Sequence, residues 1–269
     1  FQGIITKHRH QIGDINTESK MGNDLSLYTS AQDDFSGMRQ QDLIIPRVQL
    51  MQAISPQVTS GKWRMGQYID MVHEQPVVDK GKVDKIVPLM FWLEWIEWNP
   101  DRAAPKDKKV LARSTDPSSE LAKMAEHYVE VDTPKGKRLR VTEYYNFIVL
   151  APSYTGNYED AFMINFSKSS HRTGKSWLNK LMKAKIRVGD ASIRAPIWAH
   201  AWELSTKNEN KDGNVYSMPI IGAGEMIPVE VHASVKAISD AMKQRRAEVM
   251  AKNANTETDD AGSAGHEPA

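Results

Sequence analysis

The sequence predicts a mostly β protein with a few inserted helices, an α+β chain whose strands form an antiparallel sheet or a partly open barrel. Six or seven segments of the 269 residues show strand-like alternation or β-branched and aromatic content. Two or three other segments have helical periodicity. Long loops and irregular spacing separate these segments, whereas a βαβ series would alternate strands and helices regularly.

The two ends of the chain differ in composition from its middle. Residues 1–20 resemble an expression-tag remnant, because the first three residues look like the end of a protease site and Met21 would make a natural start. Residues 21–42 are polar and predict a flexible acidic arm. Residues 252–269 carry four acids and predict a disordered acidic tail. A single domain is expected between them, over residues 43–251.

Strands are predicted where apolar residues alternate or cluster. They cover residues 43–51, 67–72, 85–98, 138–151, 161–166, 197–204 and 215–221. In the segment 85–98, alternation predicts a core face and an opposite face that mixes aromatic and charged residues. The core face carries Leu89, Phe91, Leu93 and Trp95, and the opposite face carries Met90, Trp92, Glu94, Ile96 and Trp98. The last two strands form a pair joined by a polar turn at 208–214, longer than a tight hairpin turn.

Three helices are predicted. A short helix ends near His127, with Ser118 as its N-cap. A second covers residues 173–186, and its apolar stripe assigns Trp177 to the core. The clearest helix covers Pro228–Lys252, with proline near its first turn.

The composition argues against several classes of protein. The absence of cysteine excludes disulfides and thiolate sites, and it suits a cytoplasmic protein. No apolar run approaches the length of a membrane span, so we expect no membrane partner. Histidines do not occur at ligand spacings, and no nucleophile elbow is present. We therefore predict a non-catalytic protein without a metal or cofactor.

One motif keeps an enzymatic alternative open. Gly174-Lys175-Ser176 opens a predicted helix after a strand, which is where a phosphate-binding loop would lie. Ser169 stands where that motif has its first glycine. A nucleotide-dependent enzyme is therefore an alternative, and a simple helix-entry turn is the other interpretation of Gly174.

Basic residues cluster in three segments, although the net charge is only +1. Clustered lysine and arginine can neutralise a phosphate backbone. The candidate phosphate contacts are Arg102, Lys106, Lys108 and Lys109 in the first cluster, Lys135, Lys137, Arg138 and Arg140 in the second, and Lys168, Arg172, Lys175 and Lys180 in the third. Whether these clusters share one face depends on the fold.

Aromatic residues alternate with these clusters and could stack on bases. Single-stranded nucleic acid is bound by basic grooves lined with aromatic rings. Tyr144, Trp198 and Trp202 are the predicted stacking residues, with Trp92 and Trp98 as secondary candidates. The competing interpretation is that these large aromatic residues belong to the core, where most of them lie in folded proteins.

Several stretches together resemble bacteriophage single-stranded DNA-binding proteins of replication and recombination. They are Ile44–Gln52 with Ser55-Pro56, Tyr145–Leu150, Phe166–Ser170 and Lys175–Leu181. The resemblance is one of organisation, spread over residues 43–251, and it implies an OB-like β-barrel core, a C-terminal helix and an acidic tail. The tails of such proteins usually end in a bulky apolar residue, whereas this chain ends Glu267-Pro268-Ala269.

The function expected from these features is sequence-independent binding and protection of single-stranded DNA in the cytoplasm of a phage-infected host. The acidic tail suggests replication or recombination proteins as further partners, with a merely solubilising tail as the alternative. A protein-binding or virion structural role, in which the aromatic strands form an oligomer interface, is the main alternative function. The oligomeric state cannot be deduced from the sequence.

Overall fold

A computed structural model describes residues 45–79, 81–101, 109–132, 136–158, 160–211 and 213–261, without the side chains of 188, 211 and 248–261. The predicted tag remnant and acidic arm lie outside the described residues, as does the end of the chain. The described part contains thirteen strands and five α-helices.

The strands are β1 (Val48–Leu50), β2 (Tyr68–Asp70), β3 (Gln75–Val78), β4 (Asp84–Trp98), β5 (Val110–Ser114), β6 (Glu130–Val131), β7 (Arg138–Leu139), β8 (Val141–Leu150), β9 (Ala161–Ser167), β10 (Lys185–Val188), β11 (Ala191–Arg194), β12 (His200–Lys211) and β13 (Asn214–Met226). The helices are α1 (Pro56–Thr59), α2 (Glu120–Glu126), α3 (Pro152–Thr155), α4 (His171–Lys183) and α5 (His232–Ala261).

The largest sheet is antiparallel and open. Its strand order is β13-β12-β4-β8-β9, and β5 pairs with the end of β4. Three smaller sheets accompany it: β1-β2-β3, β10-β11 and β6-β7. The prediction of a mostly β, α+β chain is confirmed. The described sheets do not close into a barrel, because β13 and β9 are both edges of the main sheet.

Side chains, rather than another strand, cover the edge of β13. The Gln52 amide pairs with the backbone of Ser217, donating to its carbonyl at 2.9 Å and accepting from its N–H at 2.9 Å. From α4, Thr173 Oγ1 donates to the carbonyl of Pro219 at 3.1 Å and Lys180 Nζ donates to that of Ile221 at 2.7 Å. An edge strand whose polar groups are occupied in this way cannot readily pair with another chain.

Apolar clusters lie on both faces of the main sheet. On one face, Phe147 of β8 and Phe166 of β9 pack with Trp177 of α4 and with residues of β12 and β13. On the other, Ile148 and Leu150 of β8 pack with Val235 and neighbouring residues of α5. The assignment of Trp177 to the core is confirmed, since its ring is fully buried.

A β-bulge places Leu89 on the face of β4 opposite to the predicted one. The register between β4 and β8 shifts between Pro88 and Met90, so Leu89 is an extra residue in β4. Leu89 therefore joins the same cluster as Met90, although simple alternation placed it on the opposite face. Beyond the bulge, Phe91 and Leu93 pack against the other cluster, as predicted. The bulge leaves the Leu89 carbonyl to accept a 2.7 Å hydrogen bond from the buried Ser239 hydroxyl of α5.

We expect Ser239→Ala to lower the free energy of unfolding by about 1–3 kcal/mol, because it leaves a buried carbonyl without its donor. Ser234→Ala is the matched control, since that hydroxyl lies on the same helix and donates to a backbone carbonyl but is exposed. Urea unfolding measures both variants. Equal stability of the two would show that the contact between α5 and the bulge does not matter.

Three other features differ from the sequence predictions. Helix α5 ends at Ala261, so its last ten residues lie in the segment 252–269 that was predicted to be a disordered tail. Lys211 of β12 pairs with Asn214 of β13, so only two residues separate these strands, whereas the sequence predicted a longer polar turn at 208–214. Helix α2 uses Ser119 as its N-cap instead of Ser118, since the Ser119 hydroxyl accepts the N–H of Ala122.

Candidate nucleic-acid interface

Strand β8 directs two neighbouring tyrosines to opposite faces of the sheet. Tyr144 is opposite Ser167 of β9, and Tyr145 is opposite Phe166 in the same register. Each tyrosine lines a separate cleft, which we call the Tyr144 cleft and the Tyr145 cleft. The segment Lys168–Ser169, just beyond β9, borders both of them. The two clefts therefore meet at the end of β9.

The Tyr144 cleft has a volume of about 640 Å³. Strands β8 and β9 line one side, and residues Asn214–Tyr216 at the start of β13 line another. The β1 segment and the turn that follows it complete the lining. The side chains that offer a positive charge or an aromatic ring are Arg47, Tyr68, Tyr144, Lys168 and Tyr216. Among the described residues that line this cleft, none is an aspartate or glutamate.

Tyr144 is half-buried at the centre of this arrangement. Burial is the largest influence on its hydroxyl and raises its pKa, while the positive charge of Arg47 and the side chains of Ser167 and Trp98 act in the opposite direction. Tyr144 therefore stays neutral at physiological pH and can donate a hydrogen bond.

The Tyr145 cleft has a volume of about 590 Å³ and a mixed charge. Lys168, Arg172 and Lys175 contribute positive side chains, and all three are exposed. Glu143 offsets part of this charge and contacts His171 Nε2 at the start of α4. Three members of the third predicted basic cluster thus meet here, beside the carboxylates of Glu126 and Glu143.

The second predicted cluster is largely engaged in contacts within the protein. Arg138 Nη2 donates to the backbone carbonyl of Asn99, and Arg140 Nε donates to Glu97 at 2.6 Å. Lys109 and Arg138 line a small depression of about 290 Å³ next to Trp98. Lys137 is exposed. Arg102, Lys106, Lys108 and Lys135 lie outside the described residues.

Three predicted contact residues have structural positions away from both clefts. Lys180 donates to the edge of β13, as described above. Trp202 is buried in the core beneath Gly224, where an added Cβ would lie 3.0 Å from the indole ring. Trp198 is half-buried beside α5, with its ring edge-on to His232 at 5.6 Å between centroids. Neither tryptophan presents an open ring face in the Tyr144 or Tyr145 cleft.

The two secondary stacking candidates lie on the predicted aromatic face of β4. Trp92 packs against the cluster under α5, and the Arg246 guanidinium lies 5.1 Å from its ring centroid. Trp98 is half-buried beside Tyr144 and lines the depression with Arg138. Trp98 therefore lies next to a residue that lines the Tyr144 cleft.

Two residues of the Tyr144 cleft were missed from the sequence. Arg47 lies in the first strand segment and is isolated from the basic clusters in the chain. Tyr216 follows the Asp212-Gly213 hairpin signal, and its hydroxyl donates to Glu209 at 3.1 Å. The hairpin signal indicates where a strand begins, but it does not show which cleft the side chains at that strand end would line.

Gly174 lies inside α4 and not in a loop that precedes it. A Cβ at this position would lie 2.8 Å from the Phe166 Cβ and 2.9 Å from the Tyr145 Cβ. The close approach of α4 to β8 and β9 therefore requires glycine, which gives this residue of Gly174-Lys175-Ser176 a packing role.

We expect Gly174→Ala to lower the free energy of unfolding by about 1–3 kcal/mol through overpacking, although alanine favours a helix by about 1 kcal/mol. Ser176→Ala, at an exposed position of the same helix, should change it by about 0.5 kcal/mol or less. Urea unfolding compares the two variants. A Gly174→Ala protein as stable as the Ser176→Ala protein would contradict the packing role.

No helix in the described part of the chain is long and apolar enough to cross a membrane. The same residues contain no group of three or more histidines and carboxylates arranged to hold a metal ion.

Comparison with known proteins places the chain in one family. Searches of the curated proteins and of the solved structures gave no match. The family model described as Pam3 phage gp34-like protein matches residues 17–252, which is well over half of the chain and includes both clefts. The protein therefore belongs to the Pam3 phage gp34-like family.

Proposed function

We propose that this phage-family protein binds single-stranded DNA along the Tyr144 cleft, without sequence preference, and protects it during phage DNA replication or recombination. The observation that carries the proposal is the composition of that cleft. Arg47 and Lys168 supply positive charge, Tyr144 and Tyr216 supply rings, and no carboxylate is among the described lining residues. Cations that neutralise phosphates beside rings that stack on bases are what single-stranded nucleic acid requires.

The order of the strands supports an OB-type interpretation of the sheet. Strands β4, β8 and β9 form an antiparallel meander, α4 follows, and the β12–β13 hairpin returns to pair with β4. We propose that these are the five strands of an OB-like fold left open between its third and fifth strands. In OB folds, oligonucleotides bind across strands 2 and 3 and between the 1–2 and 4–5 loops.

The Tyr144 cleft lies where that interpretation expects the ligand. Tyr144 is on the second strand and Ser167 on the third, while Asn214–Tyr216 adjoin the 4–5 loop. The 1–2 connection runs from residue 99 to residue 140 and carries the first two predicted basic clusters. Charge and stacking do not distinguish base edges, so the proposed binding is independent of sequence. The site of action is then the host cytoplasm, where phage DNA is copied.

The test is an anisotropy titration of fluorescein-labelled oligo-dT with the full chain at several salt concentrations, with duplex DNA as competitor. The proposal expects salt-sensitive binding that duplex DNA competes with poorly. Tyr144→Ala should weaken it by about 1–3 kcal/mol for one stacked base. Trp63→Ala, which removes a half-buried ring that lines neither cleft, is the matched control.

Absence of binding at low salt would contradict the proposal. The function would then be sought in oligomerisation or in a virion structural role. If duplex DNA competes as well as single-stranded DNA does, the protein binds nucleic acid in general and does not prefer single strands.

A further inference from the structure

Another cavity, separate from both clefts, lies at a gap in the main sheet. On the edge away from β8, β4 pairs with β12 over Asp84–Ile86 and with β5 over Trp95–Trp98. No described strand pairs with this edge in between. A pocket of about 470 Å³ opens at the gap, with Met90 and Phe91 of β4 in its lining. We call it the β4 pocket.

The β4 pocket is apolar inside. Helix α4 contributes Leu178, Leu181 and Met182, and Ile197 lines the pocket from the turn before β12. Met182 is half-exposed there, at 51% of its maximum, so the apolar surface reaches solvent. A pocket of this size falls in the range that binds small ligands or single anchoring side chains.

Three positive side chains surround this apolar interior. Arg194 comes from β11, and Lys243 and Arg246 come from α5, one turn apart. No aspartate or glutamate is among the described residues that line the pocket. Lys243 is offset by Asp240 at 3.5 Å on its own helix. The rim therefore keeps a net positive charge.

Arg246 is the most buried of the three cations. It is half-buried, and its guanidinium lies 5.1 Å from the Trp92 ring centroid. Burial lowers its pKa, while the negative charge of Glu94 acts in the opposite direction. A carboxylate brought to the pocket would add a charge-assisted hydrogen bond to a partly desolvated guanidinium, where such bonds are stronger than in water.

We propose that the β4 pocket is a docking site for an acidic segment of a partner protein, which inserts an apolar side chain between α4 and α5 while its carboxylates pair with Arg194, Lys243 and Arg246. Charge complementarity selects this occupant, because the apolar interior alone would accept any apolar group. The positive rim favours carboxylates next to the anchor. Many protein interfaces have this arrangement, in which a polar rim of complementary charge surrounds a buried apolar anchor. This proposal does not depend on DNA binding, since the pocket shares no lining residue with either cleft.

The probe is a fluorescein-labelled peptide with two aspartates on each side of a Leu-Phe pair, titrated with the full chain. One control peptide replaces Leu-Phe with Ser-Ser, and another replaces the aspartates with asparagines. We expect the acidic apolar peptide to bind and both controls to bind at least about tenfold more weakly, a difference of about 1.4 kcal/mol.

Two variants test the location. Arg194→Glu with Lys243→Glu reverses the rim, and Met182→Trp fills the opening from a half-exposed position. Each should weaken peptide binding about tenfold or more. The pair Lys82→Glu with Lys123→Glu makes the same change in net charge at exposed sites away from the pocket and should leave binding within about twofold.

Several outcomes would overturn the proposal. One is equal binding of the three peptides, and another is binding that neither pocket variant weakens. Displacement of the peptide by oligo-dT would assign the pocket to the nucleic-acid path instead. Loss of self-association in the pocket variants, measured by sedimentation, would assign it to a second copy of this chain.

Discussion

Replacing Trp177 with alanine is expected to lower the free energy of unfolding by about 3–5 kcal/mol. The indole is fully buried between α4 and the sheet, and its ring centroid lies 4.2 Å from that of Phe147 and 5.9 Å from that of Phe166. Removing the ring leaves a cavity at the point where α4 meets β8 and β9. Helix α4 also donates hydrogen bonds to the edge of β13. Loosening the helix therefore weakens both its packing on β8 and β9 and its contacts with β13.

Chemical denaturation of the full chain measures this loss. Trp63→Ala provides the comparison, since it also removes a tryptophan but one that is only half-buried. A Trp177→Ala protein no less stable than Trp63→Ala would show that α4 is not held by this contact.

Replacing Arg47 and Lys168 together with alanine is expected to reduce single-stranded DNA affinity roughly tenfold at physiological salt. Both cations line the Tyr144 cleft. Each phosphate contact to a single strand contributes about 0.7 to the slope of log affinity against log salt. Losing two contacts should therefore lower the magnitude of that slope by about 1.4. Anisotropy titrations over a range of salt concentrations give both quantities.

The matched control removes two cations elsewhere. Lys62 and Lys82 are exposed and line neither cleft, so the Lys62→Ala, Lys82→Ala protein has the same net charge as the test variant. Its salt slope should equal that of the unaltered protein. If the two double variants reduce the slope equally, the protein's overall charge governs binding and the Tyr144 cleft has no special part in it.

Lys180 shows why charge clusters in a sequence are weak guides to contact residues. The sequence placed it with Lys168, Arg172 and Lys175, since all four fall in one basic stretch. The structure uses its ammonium group to cover carbonyls of β13. Replacing Lys180 with alanine therefore removes contacts that support the fold, whereas Lys175 is exposed in the Tyr145 cleft.

The strands of the main sheet were predictable because their apolar periodicity is local. The alternation of β4 correctly separated Phe91, which packs in the cluster with Trp177, from Trp92, which packs in the cluster under α5. Leu89 was assigned to the wrong face because a bulge adds one residue to β4 and so reverses the alternation of faces at that point. The Leu89 carbonyl at the bulge accepts its hydrogen bond from Ser239, 150 residues away in the chain, and no local pattern reveals such a partner.

The candidate site was predictable only in part for the same reason. Tyr144 and Lys168 were both singled out from the sequence, and they line one cleft. Arg47 and Tyr216 complete that cleft from distant parts of the chain, and each is an isolated residue in its own segment. Trp202 was selected because it shares a face of its predicted strand with Trp198. Its burial under Gly224 depends on the register of two strands, which the sequence does not express.

Photochemical cross-linking tests the proposed role of the Tyr144 cleft most directly. Oligo-dT carrying 5-iododeoxyuridine is bound to the full chain and irradiated, and the labelled peptides are identified by mass spectrometry. Binding along the Tyr144 cleft predicts adducts on the peptides that contain Tyr144 or Tyr216. Adducts confined to other peptides, such as the one that contains Trp198, would contradict it, as would the absence of adducts under conditions where anisotropy shows saturated binding.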